Sequence, residues 1–144
     1  MATQYCTFRL GGHLFGVPVE TVQEVLRQQD LTKVPLAPDA VSGLINLRGQ
    51  IVITVDLRTQ IGLPPRPAGE PATNVVVRTS EGTTSLQVDE IGDVLEPELD
   101  LFEAPPETVP SRVRDLVVKV CKLEHDLMLV LDTDKAVLID SKAA

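Results

Sequence analysis

Residues 4–10 alternate along the chain, with Tyr5, Thr7 and Arg9 on one side and Cys6, Phe8 and Leu10 on the other. A period of two marks a strand with two unlike faces. Gly11-Gly12 supplies a turn, and Leu14, Phe15, Val17 and Val19 resume the pattern, so this stretch is predicted to be a β-hairpin. Glu20 to Gln29 is ambiguous. Val22, Val25 and Leu26 fit helical spacing, while a short turn followed by a strand fits equally. Val34-Pro35 and Ala37-Pro38 exclude a continuous helix there. Asp39 is placed to cap one helical turn over Ala40-Val41-Ser42, ending at Gly43.

Leu44 to Leu57 is the most strand-like segment, with a hairpin turn expected near Arg48-Gly49-Gln50. Its continuous apolar runs imply strands covered on both faces. On that reading a charge introduced at Ile53 would be buried without a partner and would unfold the sheet. Pro64 to Pro71 reads as an irregular connector. Asn74–Val77 and Thr84–Val88 are predicted strands around Ser80-Glu81-Gly82, and Asp89 to Leu95 lies between a turn and a strand. The Pro-rich, acidic Glu96 to Val109 reads as a loop. Leu116–Leu123 and Leu127–Leu131 form a predicted hairpin around Glu124-His125-Asp126, and Asp132 to Ile139 a short closing helix.

The chain also repeats itself. Val19 to Leu26 matches Val88 to Leu95 at an offset of 69 residues, apolar on apolar, with Glu20 on Asp89 and Glu24 on Asp93. Ile51 to Asp56 matches Leu127 to Asp132 at an offset of 76, so the second copy is longer within the Glu96–Val109 stretch. The predicted fold is therefore mainly β: two pseudo-symmetric, five-stranded barrel subdomains with short helices. The boundaries expected from the connector are 1–66 and 67–131, followed by a helix at 132–140. Small antiparallel sheets protect their edges by closing in this way.

Composition narrows the function. The chain has 144 residues and a formal net charge of −8, which disfavours a nucleic-acid binder because phosphate neutralisation needs a basic face. Twenty Val and six Ile support strands. Three Phe, one Tyr and no Trp argue against sites that stack sugars or bases. Cys6 and Cys121 read as buried thiols, with a disulfide as the alternative. The N-terminal residues lack a basic start followed by an apolar stretch, so a cytoplasmic location is expected. His13 and His125 have no second ligand at metal spacing, and neither a phosphate loop nor a nucleophile elbow occurs. No metal, no cofactor and no catalytic set are expected, which disfavours a small enzyme on a β-barrel.

One stretch asks for more than a structural explanation. In Gly43-Leu44-Ile45-Asn46-Leu47-Arg48-Gly49, followed by Asp56-Leu57-Arg58, polar groups interrupt a core-like run. Asn46, Gly49 and Asp56 suit a turn and a strand end. Arg48 is not required by a turn, and it carries a rigid donor fork for an acidic or carbonyl partner.

These residues resemble the signature of the CheW family, the adaptor domain of bacterial chemotaxis, roughly G-x-x-N-L-R-G-x-x-x-P-x-x-D-L-R. Leu14-Phe15-Gly16-Val17, Val22-Gln23-Glu24-Val25 and Val88 to Val94 are similar to further family segments in the same order, and the likeness spans about residues 4 to 139. The signature's Pro is Ile53 here. The resemblance implies two five-stranded SH3-like barrels without an active site. It implies an adaptor that couples the signalling tip of a methyl-accepting chemoreceptor to the regulatory domain of a CheA-type histidine kinase. By resemblance, Arg48 and Glu24 are polar receptor contacts, and Val22, Asn46 and Val94 line the groove that takes the receptor's helical tip. Leu31 and Val34 would meet the kinase. The alternative is a CheW-like regulator that binds receptor without engaging kinase.

Overall fold

The computed structural model describes residues 3–138. Tyr5–Leu10 (β1) and His13–Pro18 (β2) form the first hairpin, with Phe8 opposite Phe15. A 3-10 turn at Val19–Thr21 leads into β3 (Val22–Arg27), so the ambiguous segment is a turn and a strand. Burial alternates along β3, with Val22, Glu24 and Leu26 the less exposed positions, and the exposed Val25 places an apolar residue on the outer face, which mimics helical spacing. β4 (Val41–Leu47) and β5 (Gln50–Asp56) form the second hairpin. The helical turn expected over Ala40–Ser42 is not formed. Val41 already pairs with Val55, so the ladder takes the residues that a helical turn would need.

A short helix, α1 (Leu57–Ile61), follows, and Arg58 N–H donates to Asp56 Oδ1 at its start. Next come β6 (Thr73–Thr79), β7 (Gly82–Val88), β8 (Glu90–Leu95) and the two-residue β9 (Phe102–Glu103). Then α2 (Ser111–Arg114), β10 (Val117–Lys122), β11 (Leu127–Leu131) and α3 (Thr133–Ala136) complete the described chain. The closing helix expected over 132–140 is this single turn, capped by Asp132, and positions from 139 onward lie outside the described residues.

The strands form two sheets, ordered β8-β1-β2-β11-β10-β9 and β3-β6-β7-β5-β4. The repeat is visible in this order. β3 and β8 stand at equivalent edges, β5 and β11 each make the parallel contact of their sheet, and β4 and β10 follow them. Asp56 and Asp132, which are repeat partners, both cap short helices from nearly the same backbone conformation. Their N–H groups donate to Ala40 O at 2.7 Å and to Leu116 O at 2.8 Å, again 76 residues apart.

The expected division at residue 66 does not separate the sheets. The first hairpin, β1–β2, pairs with β8 and β11, while β6–β7 pairs with β3 and β5. The connector at 64–71 therefore lies between elements of one sheet, because each copy of the repeat lends its hairpin to the other. The sheets have six and five strands because the same closing contact has two lengths. After β3, Thr32 and Leu44 exchange backbone hydrogen bonds at 2.9 and 2.8 Å, which brings the chain back onto β4 and closes a ring. After β8, the equivalent contact is β9 on β10, with Glu103 opposite Val120.

Three apolar clusters result. One fills the ring containing β3, with Ile45, Leu47, Val52 and Val76, and another fills the ring containing β8, with Tyr5, Leu14, Cys121, Met128 and Val130. The largest lies between the sheets and includes Phe8, Phe15, Val55, Leu57, Leu86 and Leu131. Cys6 and Cys121 are buried free thiols in different clusters. β5 is not covered on both faces as its apolar run suggested: Ile51 is 62% and Ile53 48% exposed, while Val52 between them is buried.

Candidate functional site

The β4–β5 hairpin turns on two residues, Arg48 at φ 53° and Gly49 at φ 88°, with Leu47 opposite Gln50. Positive φ at both positions is the primed turn that matches strand twist, and it favours Asn or Gly. Glycine at 49 meets that need, and Asn46 Oδ1 accepts from Gly49 N–H at 2.8 Å. Arg48 occupies the left-handed region against its own preference, at a cost on the order of 1 kcal/mol. The turn therefore disfavours Arg, and its presence has to be explained by what the side chain does.

The Arg48 guanidinium reaches β3. Its Nη1 donates to Glu24 Oε2 and its Nη2 donates to Glu24 Oε1 at 3.0 Å, a two-pronged pairing. The Arg48 side chain is 74% exposed and that of Glu24 is 17% exposed. Hydrogen bonding and charge from Glu24 raise the Arg48 pKa further above its ordinary value, so it stays cationic. The pair bridges the β4–β5 tip to β3, across the ring that Thr32 and Leu44 close. The repeat does not reproduce it. The positions equivalent to Arg48 and Glu24 are Glu124 and Asp93, two acids.

Arg48, Glu24 and Asn46 thus form one cluster. Asn46 is exposed on β4, opposite Ile51. Val22 shares β3 with Glu24, but its side chain packs against the core between the sheets and is half-buried. Val94 is 57% exposed on β8 of the other sheet. Its repeat partner is Val25 on β3, also exposed, which was not picked out from the sequence although the 69-residue offset points to it. Leu31 is half-buried against the ring interior, and Val34 is exposed nearby in the chain. Between them and β4 stands Leu36, fully exposed at φ 62°. The exposed Ile51 and Ile53 were also missed, because their neighbours made the run look like core.

The signature's second Arg has a different place. Arg58 Nε and Nη2 donate to Asp89 Oδ1 and Oδ2 at 2.7 and 2.6 Å, Arg66 Nε donates to Oδ1 at 3.0 Å, and Gly11 N–H donates to Oδ2 at 2.8 Å. Burial alone would raise the Asp89 carboxyl. Hydrogen bonds from Arg58 and Gly11, with the charges of Arg58 and Arg66, outweigh it and hold the carboxyl at about 2. This knot ties the connector, α1 and the β1–β2 turn to the end of β7. Among the described residues, no three His, Cys, Asp or Glu side chains converge as a metal-ligand set, and no helix is long and apolar enough to cross a membrane.

The chain's sequence is 24% identical over 132 residues to "Chemotaxis protein CheW" of Klebsiella aerogenes, covering 92% of this chain and 80% of that one. It is 28% identical over 134 residues to the Thermotoga maritima protein of the same name, covering 91% and 85%. The structure superposes on the scaffolding protein TtCheW from Thermoanaerobacter tengcongensis with a TM-score of 0.87 at 24% identity, covering 100% of this chain and 98% of that one. The model of the CheW-like domain matches residues 4–139, and the chain belongs to that family.

Proposed function

We propose that the chain is a non-enzymatic adaptor that couples a bacterial chemoreceptor to a CheA-type histidine kinase in the cytoplasm. The observation that carries this reading is Arg48: an exposed cation held in a turn conformation that disfavours it and aimed by Glu24. A structural turn needs neither residue, whereas a recognition surface needs a charge in a fixed direction. Arg48, Glu24 and Asn46 supply the polar contacts to the receptor's helical tip, with Val22 and Val94 as the apolar lining. Helix-in-groove recognition divides the work this way, with apolar area giving affinity and charge setting register. Leu31 and Val34 form the contact to the kinase's regulatory domain. The names borne by the relatives support the same reading.

Co-precipitation with a receptor signalling fragment and, separately, with the kinase tests this proposal. Binding to both is expected, with receptor capture weakened in Arg48→Ala and kinase capture weakened in Val34→Asp. Capture of the receptor alone would favour the regulator that does not engage kinase. Capture of neither would sink both readings.

A further inference from the structure

The interior of the ring containing β3 is divided. Beside its apolar cluster, three polar side chains are shut away from solvent: Thr54 on β5, Asn74 on β6 and Ser85 on β7. Thr54 and Ser85 are register partners, and Asn74 Nδ2 donates to Ser85 Oγ at 3.0 Å. Two atoms of this group have no partner among the described residues, Thr54 Oγ1 and Asn74 Oδ1. Buried polar atoms in folded proteins are nearly always satisfied, and an internal water does this where two to four polar groups converge.

The other ring holds different side chains at the equivalent positions. Tyr5 pairs with Leu95 as Asn74 pairs with Leu26, and Gly16 pairs with Val130 as Ser85 pairs with Thr54. The set Asn74, Ser85 and Thr54 therefore stands where the other ring has Tyr5, Gly16 and Val130. That other ring is filled to contact. Tyr5 packs against Phe102 with ring centroids 5.7 Å apart, and a Cβ added to Gly16 would lie 2.7 Å from Met128 Sδ. The polar set lacks the aromatic ring that occupies this space in the repeat partner.

We propose that Thr54, Asn74 and Ser85 bind an internal water, which links β5, β6 and β7 from inside the ring. Ser85 Oγ accepts from Asn74 and is left with its own hydrogen to donate. The water accepts from the Ser85 and Thr54 hydroxyls and donates to Asn74 Oδ1, making the three hydrogen bonds typical of such a site. Exchanging the amide oxygen and nitrogen of Asn74 leaves an unpaired N–H₂ instead, which the same water accepts.

Water-to-protein cross-relaxation in the folded chain tests this. A long-lived water is expected to give cross-peaks at the solvent frequency to the methyl groups of Thr54 and Val76. A high-resolution crystal structure is expected to show one solvent peak within about 3.2 Å of both Thr54 Oγ1 and Asn74 Oδ1. The double variant Thr54→Val, Asn74→Leu should lose the Val76 cross-peak while keeping a dispersed amide spectrum. Absence of the cross-peaks or of the solvent peak in the parent protein overturns the proposal, whether or not the variant folds.

Discussion

Arg58 and Asp89 lie 31 residues apart and meet through two parallel hydrogen bonds of 2.7 and 2.6 Å, with only 11% and 19% of their side chains exposed. Arg66 and the Gly11 N–H converge on the same carboxylate. Removing one partner of such a pair leaves the others desolvated and uncompensated. Asp89→Asn is therefore expected to lower the unfolding free energy by about 2–4 kcal/mol, read from urea titrations.

The pair also sets an acid dependence. Asp89 is held at about 2 in the folded chain by Arg58, Gly11 and Arg66, well below the ordinary carboxylate range. A depressed carboxyl stabilises fully above its unfolded pKa and loses that contribution as pH falls through the folded one. Stability from this group should be constant above pH 4 or so and decline toward pH 2, by on the order of 1–2 kcal/mol once solvent screening is counted. Asn at position 89 should remove this component. Equal acid sensitivity in parent and variant would contradict it.

Ile53 and Val52 are neighbours with opposite environments, the first half-exposed and the second buried in the ring. Ile53→Asp is expected to cost less than about 1 kcal/mol, since an exposed charge keeps its water. Val52→Asp should prevent folding, because the charge has no partner inside. Melting curves of the two variants should therefore differ sharply. This reverses the expectation drawn from the apolar run alone.

Gly43 stands where the ring closes. Its φ is 153°, and an added Cβ would lie 2.7 Å from Thr32 O, the acceptor of the closing hydrogen bond from Leu44. Gly43→Ala must push the two strands apart, at an expected cost of about 2 kcal/mol. Amide exchange at Thr32 and Leu44 should accelerate more than at β6–β7. Uniform acceleration would mean that the bridge is not a local closure.

Arg48 offers a clean separation of fold from recognition. Arg48→Asn suits the left-handed turn better and removes an ion pair whose cation is solvent-exposed, so it contributes little to stability. Its melting temperature should stay near that of the parent, while capture of a receptor fragment weakens. Unchanged capture would make Arg48 a turn residue only.

Much of this architecture was legible in the sequence, and the reasons for the remainder are physical. Alternation located the β1–β2 hairpin, and Arg48-Gly49 located the second turn, because period and turn chemistry are local properties. The repeat was legible because Asp56 and Asp132 cap equivalent helices. The exchange of hairpins between the copies was not, since partner choice among similar Val-rich strands depends on packing between the sheets. Exposure of Ile51 and Ile53 was hidden for the same reason. The family resemblance singled out Arg48 and Glu24 as separate receptor contacts, but their pairing with each other was not legible, because it depends on ring closure, which brings residues of β3 beside the β4–β5 tip. The partnership of Arg58 with Asp89 carried no local signal.

In the proposed role, this chain passes a receptor's state to a kinase. The most direct measurement is kinase autophosphorylation in the presence of a receptor signalling fragment, with and without the chain. Control of the kinase by the receptor fragment is expected only when the chain is present, and it should be weakened by Arg48→Asn. Receptor control that is the same without the chain, or absent with it, would contradict the account.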